Sequence, residues 1–425
     1  IYIRAPRRVF RPKIRRERKM KLLQEISGGV CAPKGFKAGG IHCGIRKNKE
    51  KKDFALILSD VPCAAAGVYT QNLVKGAPVA VTKRNLSDGK AQAVICNSGN
   101  ANTCNKDGEK VAEEMCALVT KVAGISPSDV IVASTGVIGV PLDIAPMAAA
   151  IDELYLKTGA NSDAAAEAIM TTDTVPKSVA VEFEVGGKVC RIGAIAKGVG
   201  MICPNMATTL IFITTDVNIS SEMLQKALSN DVKTSFNMVS IDGDQSTNDT
   251  CCILANGLAG NEQIAAAGAD YTAFKRALHH CTVKLSRMIA KDGEGATKLI
   301  ECNVRGAKTS KIAKNVARSV IKSSLVKAAM FGSDANWGRV LCAIGYAGEK
   351  VDVNRIDVAF KSAAGNLPVC KDGSGVPFDE DFAKKVLSRD EVQINIDLKS
   401  GGCKASAWGC DLTYDYVKIN GDYRT

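Results

Sequence analysis

Histidine is scarce in this chain: His42, His279 and His280 are the only three in 425 residues. A serine hydrolase needs an imidazole base, and none of the three stands near a Gly-x-Ser-x-Gly elbow, so that mechanism is poorly supported. Zinc is poorly served too. His279 and His280 are adjacent and would face apart on a helix, and none of the 16 cysteines forms a CxxC pair. We expect no metal site. No stretch approaches 18 consecutive apolar residues, so no membrane span is expected. The glycine-rich segments match neither GxGxxG nor GxxxxGK[ST], so no nucleotide-phosphate cradle is read. There is no fixed-period repeat and no low-complexity tract. The unpatterned cysteines read as small buried side chains of a reduced, intracellular protein, with the cytoplasm as its expected location.

What is present is an ordinary globular composition, 46% hydrophobic and 24% charged. The net charge of +12 is concentrated at one end. Residues 1–19 hold nine Lys/Arg against Glu17, a net +8, which leaves +4 for the other 406 residues. This segment reads as a basic extension, non-native or disordered. An organelle transit peptide (which would place the protein in the mitochondrial matrix) and a nucleic-acid arm are the other two readings. The near-neutral body argues against nucleic-acid binding.

The pattern along the chain is mixed α/β. Strands are expected over 91–96, 130–133 and 210–214, a hairpin over 179–185 and 188–195 about Gly186-Gly187, and further strands over 392–398 and 413–419. Helices are expected over 109–123, 162–170, 221–228, 271–291 and 313–330. Residues 97–102 and 134–139 read as turns after their strands. The charge run over 46–52 reads as a solvated turn.

One segment stands out: Lys197-Gly198-Val199-Gly200-Met201-Ile202-Cys203-Pro204-Asn205-Met206-Ala207-Thr208, followed by the apolar run 210–213. A threonine freed at its amino side carries nucleophile and base on one residue, since its α-amine has a reference pKa of about 7.7–8.0. Its Oγ can attack the preceding carbonyl and open the bond in an N→O shift, helped by a strained backbone. Thr135 and Gly136, after a buried strand, can offer a hydroxyl and an amide to an oxyanion. Lys197 and Glu294 lie in glycine-containing loops, as ligand-contacting charges do. Each of these features taken singly also has an ordinary structural explanation.

Together the motifs point to one family. The chain resembles the ornithine acetyltransferases, also called bifunctional arginine-biosynthesis proteins, over essentially residues 26–425. The resemblance is carried by residues 26–30 and 32–36, 97–102, 134–136, 170–174, 197–208, 292–298 and the terminal run 407–425. It implies a self-processing, layered α/β sandwich in two lobes. Cleavage between Ala207 and Thr208 would give an α chain (20–207) and a β chain (208–425), assembled as an α₂β₂ heterotetramer. It further implies that Thr208 is the nucleophile and that Thr135 and Gly136 form the oxyanion pair. Lys197, Thr208, Glu294, Asn420 and Thr425 would bind substrate, with Thr172 or Thr171, of which Thr172 is favoured. The reaction implied is ping-pong acetyl transfer from N²-acetylornithine to glutamate, releasing ornithine, with no cofactor. Whether acetyl-CoA is a second donor is left open. An N-terminal-nucleophile aminopeptidase or amidase on a related fold is the alternative. Two positions depart from the family pattern: a serine is expected where Val199 stands, and an alanine where Gly421 stands.

Overall fold

A computed structural model describes residues 23–202 and 209–422. Two sheets organise them. The first is built from β1 (Gln24–Ile26), β2 (Phe36–Ile41), β3 (Phe54–Tyr69), β4 (Lys90–Asn100), β5 (Val130–Val137), β6 (Lys177–Val185), β7 (Lys188–Lys197), β8 (Leu210–Thr215) and β10 (Thr250–Ala255). The second is built from β9 (Val239–Ser240), β11 (Leu299–Ala307), β12 (Asp357–Ser362), β13 (Gly365–Lys371), β14 (Ser374–Gly375), β15 (Glu391–Asp397) and β16 (Cys403–Cys410).

In the first sheet the order is β1-β6-β7-β8-β10-β3-β4-β5, with β2 also on β3. The pairs β8/β10 and β4/β5 are parallel and the rest antiparallel. The second runs β14-β13-β12-β15-β11-β16-β9. The helices are α1 (Ala77–Asn85), α2 (Gly108–Ala123), α3 (Ala145–Leu156), α4 (Ser162–Ala168), α5 (Ser221–Asp231), α6 (Ala269–Lys291), α7 (Ser310–Lys322), α8 (Ser324–Phe331), α9 (Trp337–Gly345), α10 (Glu380–Leu387) and α11 (Tyr414–Gly421).

Helix α6 joins the layers. Its stripe of Phe274, Leu278, Cys281 and Leu285, three to four residues apart, is fully buried, and it packs on β6 and β7 of one sheet and on β11 and β16 of the other. The main core therefore runs through both sheets, and smaller cores lie under α4 and under α1–α3. This is the α/β sandwich that the sequence implied. Among the described residues no helix is long and apolar enough to cross a membrane.

Several local expectations need correction. The helix read over 313–330 is two helices, broken at Ser323. That residue takes an extended backbone (φ −66°, ψ 111°) and caps α8 by accepting the Val326 amide. Of the residues 413–419 read as a strand, Thr413 caps and 414–419 lie in α11. Thr413 Oγ1 accepts the Tyr416 amide at 3.4 Å as an N-cap, and both long edges of β16 are already paired, with β11 and β9. The segments 97–100 and 134–137 continue β4 and β5 instead of turning, because they pair with each other. The hairpin about Gly186-Gly187 lies where the sequence placed it, extended to Lys177 and Lys197.

Candidate active site

The ends of several elements converge on the family motifs. Lys197 closes β7 opposite Leu210, the first residue of β8. Thr135 and Gly136 lie near the end of β5. Thr172 sits in the loop after α4, Glu294 in the turn after α6, and Asn420 in the last turn of α11.

These pieces make direct contacts. Partly buried Lys197 donates from Nζ to Thr135 Oγ1 at 3.1 Å. The Glu294 carboxylate is held on both oxygens: Thr172 Oγ1 donates to Oε1 at 2.7 Å, and Asn420 Nδ2 to Oε2 at 2.8 Å. The Glu294 amide donates to the Val199 carbonyl at 2.8 Å, which ties this turn to the glycine-rich segment through the backbone. Thr171 contributes its amide to Asp173 Oδ2 at 3.0 Å, whereas Thr172 is the threonine whose hydroxyl meets the Glu294 carboxylate. Ala207, Thr208 and Thr425 lie outside the described residues.

Two glycines are dictated by geometry. Gly136 has φ +136°, and a Cβ there would lie 2.3 Å from the Gly99 carbonyl carbon and 2.5 Å from the Asn100 nitrogen. A side chain would clash with backbone that cannot yield. At Gly200 a Cβ would lie 2.4 Å from Glu294 Oε2, so the chain passes directly against the carboxylate. The two departures from the family pattern, Val199 and Gly421, stand differently in the fold. Val199 is buried and its carbonyl accepts the Glu294 amide, and a Cβ on Gly421 would meet open space.

The electrostatics favour an anion beside Lys197. Burial lowers the Lys197 pKa, against the opposing pull of Asp173 and Asp249. For Asp173, burial works to raise the pKa. The charges of Lys177 and Lys197 and the bonds it accepts outweigh this and hold it below the ordinary value. Burial pushes the Asp249 carboxyl well above the usual carboxylate range, despite its bonds with Ser246 and Thr70 and the nearby Lys197.

Nearby, the hydroxyls of Ser134 and Thr209 are buried with no hydrogen-bond partner among the described residues, which marks polar groups left for something else to satisfy. The approach to residues 203–208 is clamped by Asp242, which accepts the Met201 and Ile202 amides at 2.5 and 2.9 Å. Met201 takes φ +56°, a left-handed conformation unusual for a non-glycine residue.

Asp173, Lys177, Asp242 and Asp249 were not singled out in the sequence. The only trace was the opposite charge of Asp173 and Lys177 four residues apart, which is a common pattern. No candidate site residue lines the 910 Å³ cavity that lies on the second sheet between His279, Arg305 and Trp408, so cavity size does not locate the site. Among the described residues no three His, Cys, Asp or Glu side chains are grouped to hold a metal ion.

The chain is similar to known proteins over nearly its whole length. Residues 37–425 match the model of the ArgJ family. An arginine biosynthesis bifunctional protein ArgJ of Symbiobacterium thermophilum is 52% identical over 409 residues, covering 95% of this chain and all of that protein. ArgJ 1 of Clostridium acetobutylicum is 50% identical over 392 residues, covering 92% of this chain and 96% of that one. A crystal structure of the ArgJ protein of Bacillus halodurans aligns at 45% identity with a TM-score of 0.48, covering 50% of this chain and 98% of that chain. The chain belongs to the ArgJ family, the ornithine acetyltransferases of arginine biosynthesis.

Proposed function

We propose that this enzyme moves an acetyl group from N²-acetylornithine to glutamate through an acetyl-threonine on Thr208, in the cytoplasm and without a cofactor. The observation that carries the reading is one cation and one anion, each held by other candidate site residues. Lys197 sits on Thr135 at 3.1 Å, while Glu294 is held by Thr172 and Asn420. A bound amino acid with a terminal ammonium needs both charges. The Lys197 ammonium suits the α-carboxylate, and Glu294, spared from a salt bridge among the described residues, suits the side-chain ammonium of ornithine.

Maturation comes first. Thr208 Oγ attacks the Ala207 carbonyl carbon, the acyl group shifts from nitrogen to oxygen, and water hydrolyses the ester. The products are an α chain ending at Ala207 and a β chain whose first residue, Thr208, has a free α-amine. The pairs reassemble as α₂β₂, with Thr425 completing the substrate contacts. In the first half-reaction that amine takes the Oγ proton as Oγ attacks the acetyl carbonyl. Thr135 Oγ1 and the Gly136 amide stabilise the developing oxyanion, a contribution of roughly 10²–10³ in rate per donor. The C–N bond then breaks, and ornithine leaves with the proton. In the second half-reaction the glutamate α-amine attacks the ester and the proton returns to Thr208 Oγ.

Steady-state kinetics with varied N²-acetylornithine and glutamate test this. Parallel double-reciprocal lines and glutamate-dependent turnover are the expected result. Release of free acetate at the same rate without glutamate would instead identify a hydrolase of the aminopeptidase or amidase kind. Acetyl-CoA in place of acetylornithine tests the second donor.

A further inference from the structure

Beneath the site lies a buried charge cluster that the acetyl-transfer steps do not use. Lys177, at the head of β6, is completely buried. Its Nζ donates to Asp173 Oδ1 at 2.8 Å, to Asp292 Oδ2 at 2.6 Å and to the Val175 carbonyl at 3.3 Å. Asp173 in turn accepts the Gly198 amide at 2.9 Å and the Thr171 amide at 3.0 Å. Asp292 accepts the Thr174 amide at 3.1 Å and also bonds the Thr174 hydroxyl. Three separate stretches of chain therefore meet at the Asp173–Lys177–Asp292 cluster, and each carries a site residue close to its anchor. Thr172 lies between the anchored Thr171 and Asp173, Lys197 precedes Gly198, and Glu294 is two residues beyond Asp292.

We propose that Lys177 is a positioning residue for acetyl transfer: by tying Asp173 to Asp292 it sets the relative placement of Thr172, Lys197 and Glu294. The assignment rests on the proposed acetyl-transfer reaction. Stability alone is a weak reason for such a cluster, because a well-packed apolar group in place of a buried ion pair is often as stable or more so. What an apolar group lacks is direction. One ammonium bridging Asp173 and Asp292, with Asp173 also accepting the Gly198 amide, fixes the register of three loops in a way an apolar contact does not. A displacement of about 1 Å among reacting groups can cost on the order of 10²-fold in rate, so register is worth holding at this site.

Lys177→Met and Asp292→Asn in the full chain test this. Asp292→Asn leaves Lys177 paired with Asp173 and is the variant expected to fold. In both, the burst of ornithine released from N²-acetylornithine without glutamate counts the competent sites, and kcat and KM are then expressed per competent site. A role in folding alone lowers the number of sites and the melting temperature but leaves kcat and KM per site unchanged.

We expect kcat per site to fall about 10-fold in Asp292→Asn and further in Lys177→Met, with a raised KM for acetylornithine. Wild-type kcat and KM per site in Asp292→Asn would overturn the positioning role, whether or not Lys177→Met folds. If the wild-type enzyme itself transfers no acetyl group to glutamate, the functional reading fails and this inference falls with it.

Discussion

Replacing Gly200 with alanine would put a methyl carbon where the Glu294 carboxylate lies. The new Cβ would be 2.4 Å from Oε2, 2.5 Å from Cδ and 2.6 Å from Oε1, and ordinary contact begins near 3.4 Å, so the carboxylate must retreat by about 1 Å. Its bonds to Thr172 (2.7 Å) and Asn420 (2.8 Å) leave no room for such a shift within hydrogen-bond range. The fold should tolerate the change, because Gly200 is not among the positive-φ glycines and the clash is with the far end of a flexible side chain. The expected result is a loss of roughly 10²-fold in kcat/KM for N²-acetylornithine, with little change in melting temperature. The assay is acetyl transfer to glutamate, with intact-mass analysis to confirm that the chain is cut as in wild type. A cut, folded Gly200→Ala enzyme with wild-type kinetics would refute the placement of Glu294 against the substrate.

Thr135→Val keeps the shape of the side chain and removes the hydroxyl that meets Lys197. We expect kcat to fall by roughly 10²–10³ with a much smaller change in KM, measured at saturating acetylornithine; a change confined to KM would move Thr135 from the oxyanion to ground-state binding. The lowered pKa of Lys197 gives a pH signature, because the ammonium that binds carboxylate is present below that pKa and lost as pH rises through it. KM for acetylornithine should therefore climb on the alkaline side before the ordinary lysine value of 10.5 is reached. A KM that stays flat up to that value would contradict the role given to Lys197. Asp173 acts in the opposite direction. Its pKa is held down in the fold, so the stability it supplies is present above the unfolded carboxylate range and lost as pH falls through the lowered value. Asp173→Asn should flatten the acid limb of the melting curve, and an unchanged limb would show that other groups set it.

The elements that the sequence displayed were those in which one physical signal dominated. The buried stripe of α6 and the Gly-Gly hairpin of β6 and β7 read directly, because period and turn chemistry agreed there. Helices α7 and α8 merged into one because Ser323 breaks the helix by a capping hydroxyl and leaves the hydrophobic period intact. Helix α11 read as a strand because Tyr414 and Tyr416, on either side of Asp415, mimic alternation, whereas the deciding facts, the Thr413 cap and the filled edges of β16, come from the fold. The strand β3, 16 residues long, carries many alanines and no clear period, and its pairing with β2, β4 and β10 is what makes it a strand.

The candidate site residues came from ordered motifs across the whole chain, and the structure brings Thr135 and Lys197 into contact as a pair and Thr172, Glu294 and Asn420 as a triplet. The supporting carboxylates were invisible to that reasoning. Asp173, Asp242 and Asp249 gain their meaning from burial and from the amides and hydroxyls folded against them, and sequence spacing records neither.

The central claim is that Thr208 becomes an N-terminal nucleophile and carries the acetyl group. The most direct measurement is the intact mass of the purified protein, with N-terminal sequencing, before and after incubation with N²-acetylornithine in the absence of glutamate. The account predicts two chains, the second beginning at Thr208 and gaining the mass of one acetyl group, which glutamate then removes. In Thr208→Ala it predicts a single uncut chain that gains nothing. An uncut wild-type chain that is nevertheless acetylated elsewhere, or a cut and active Thr208→Ala protein, would contradict it.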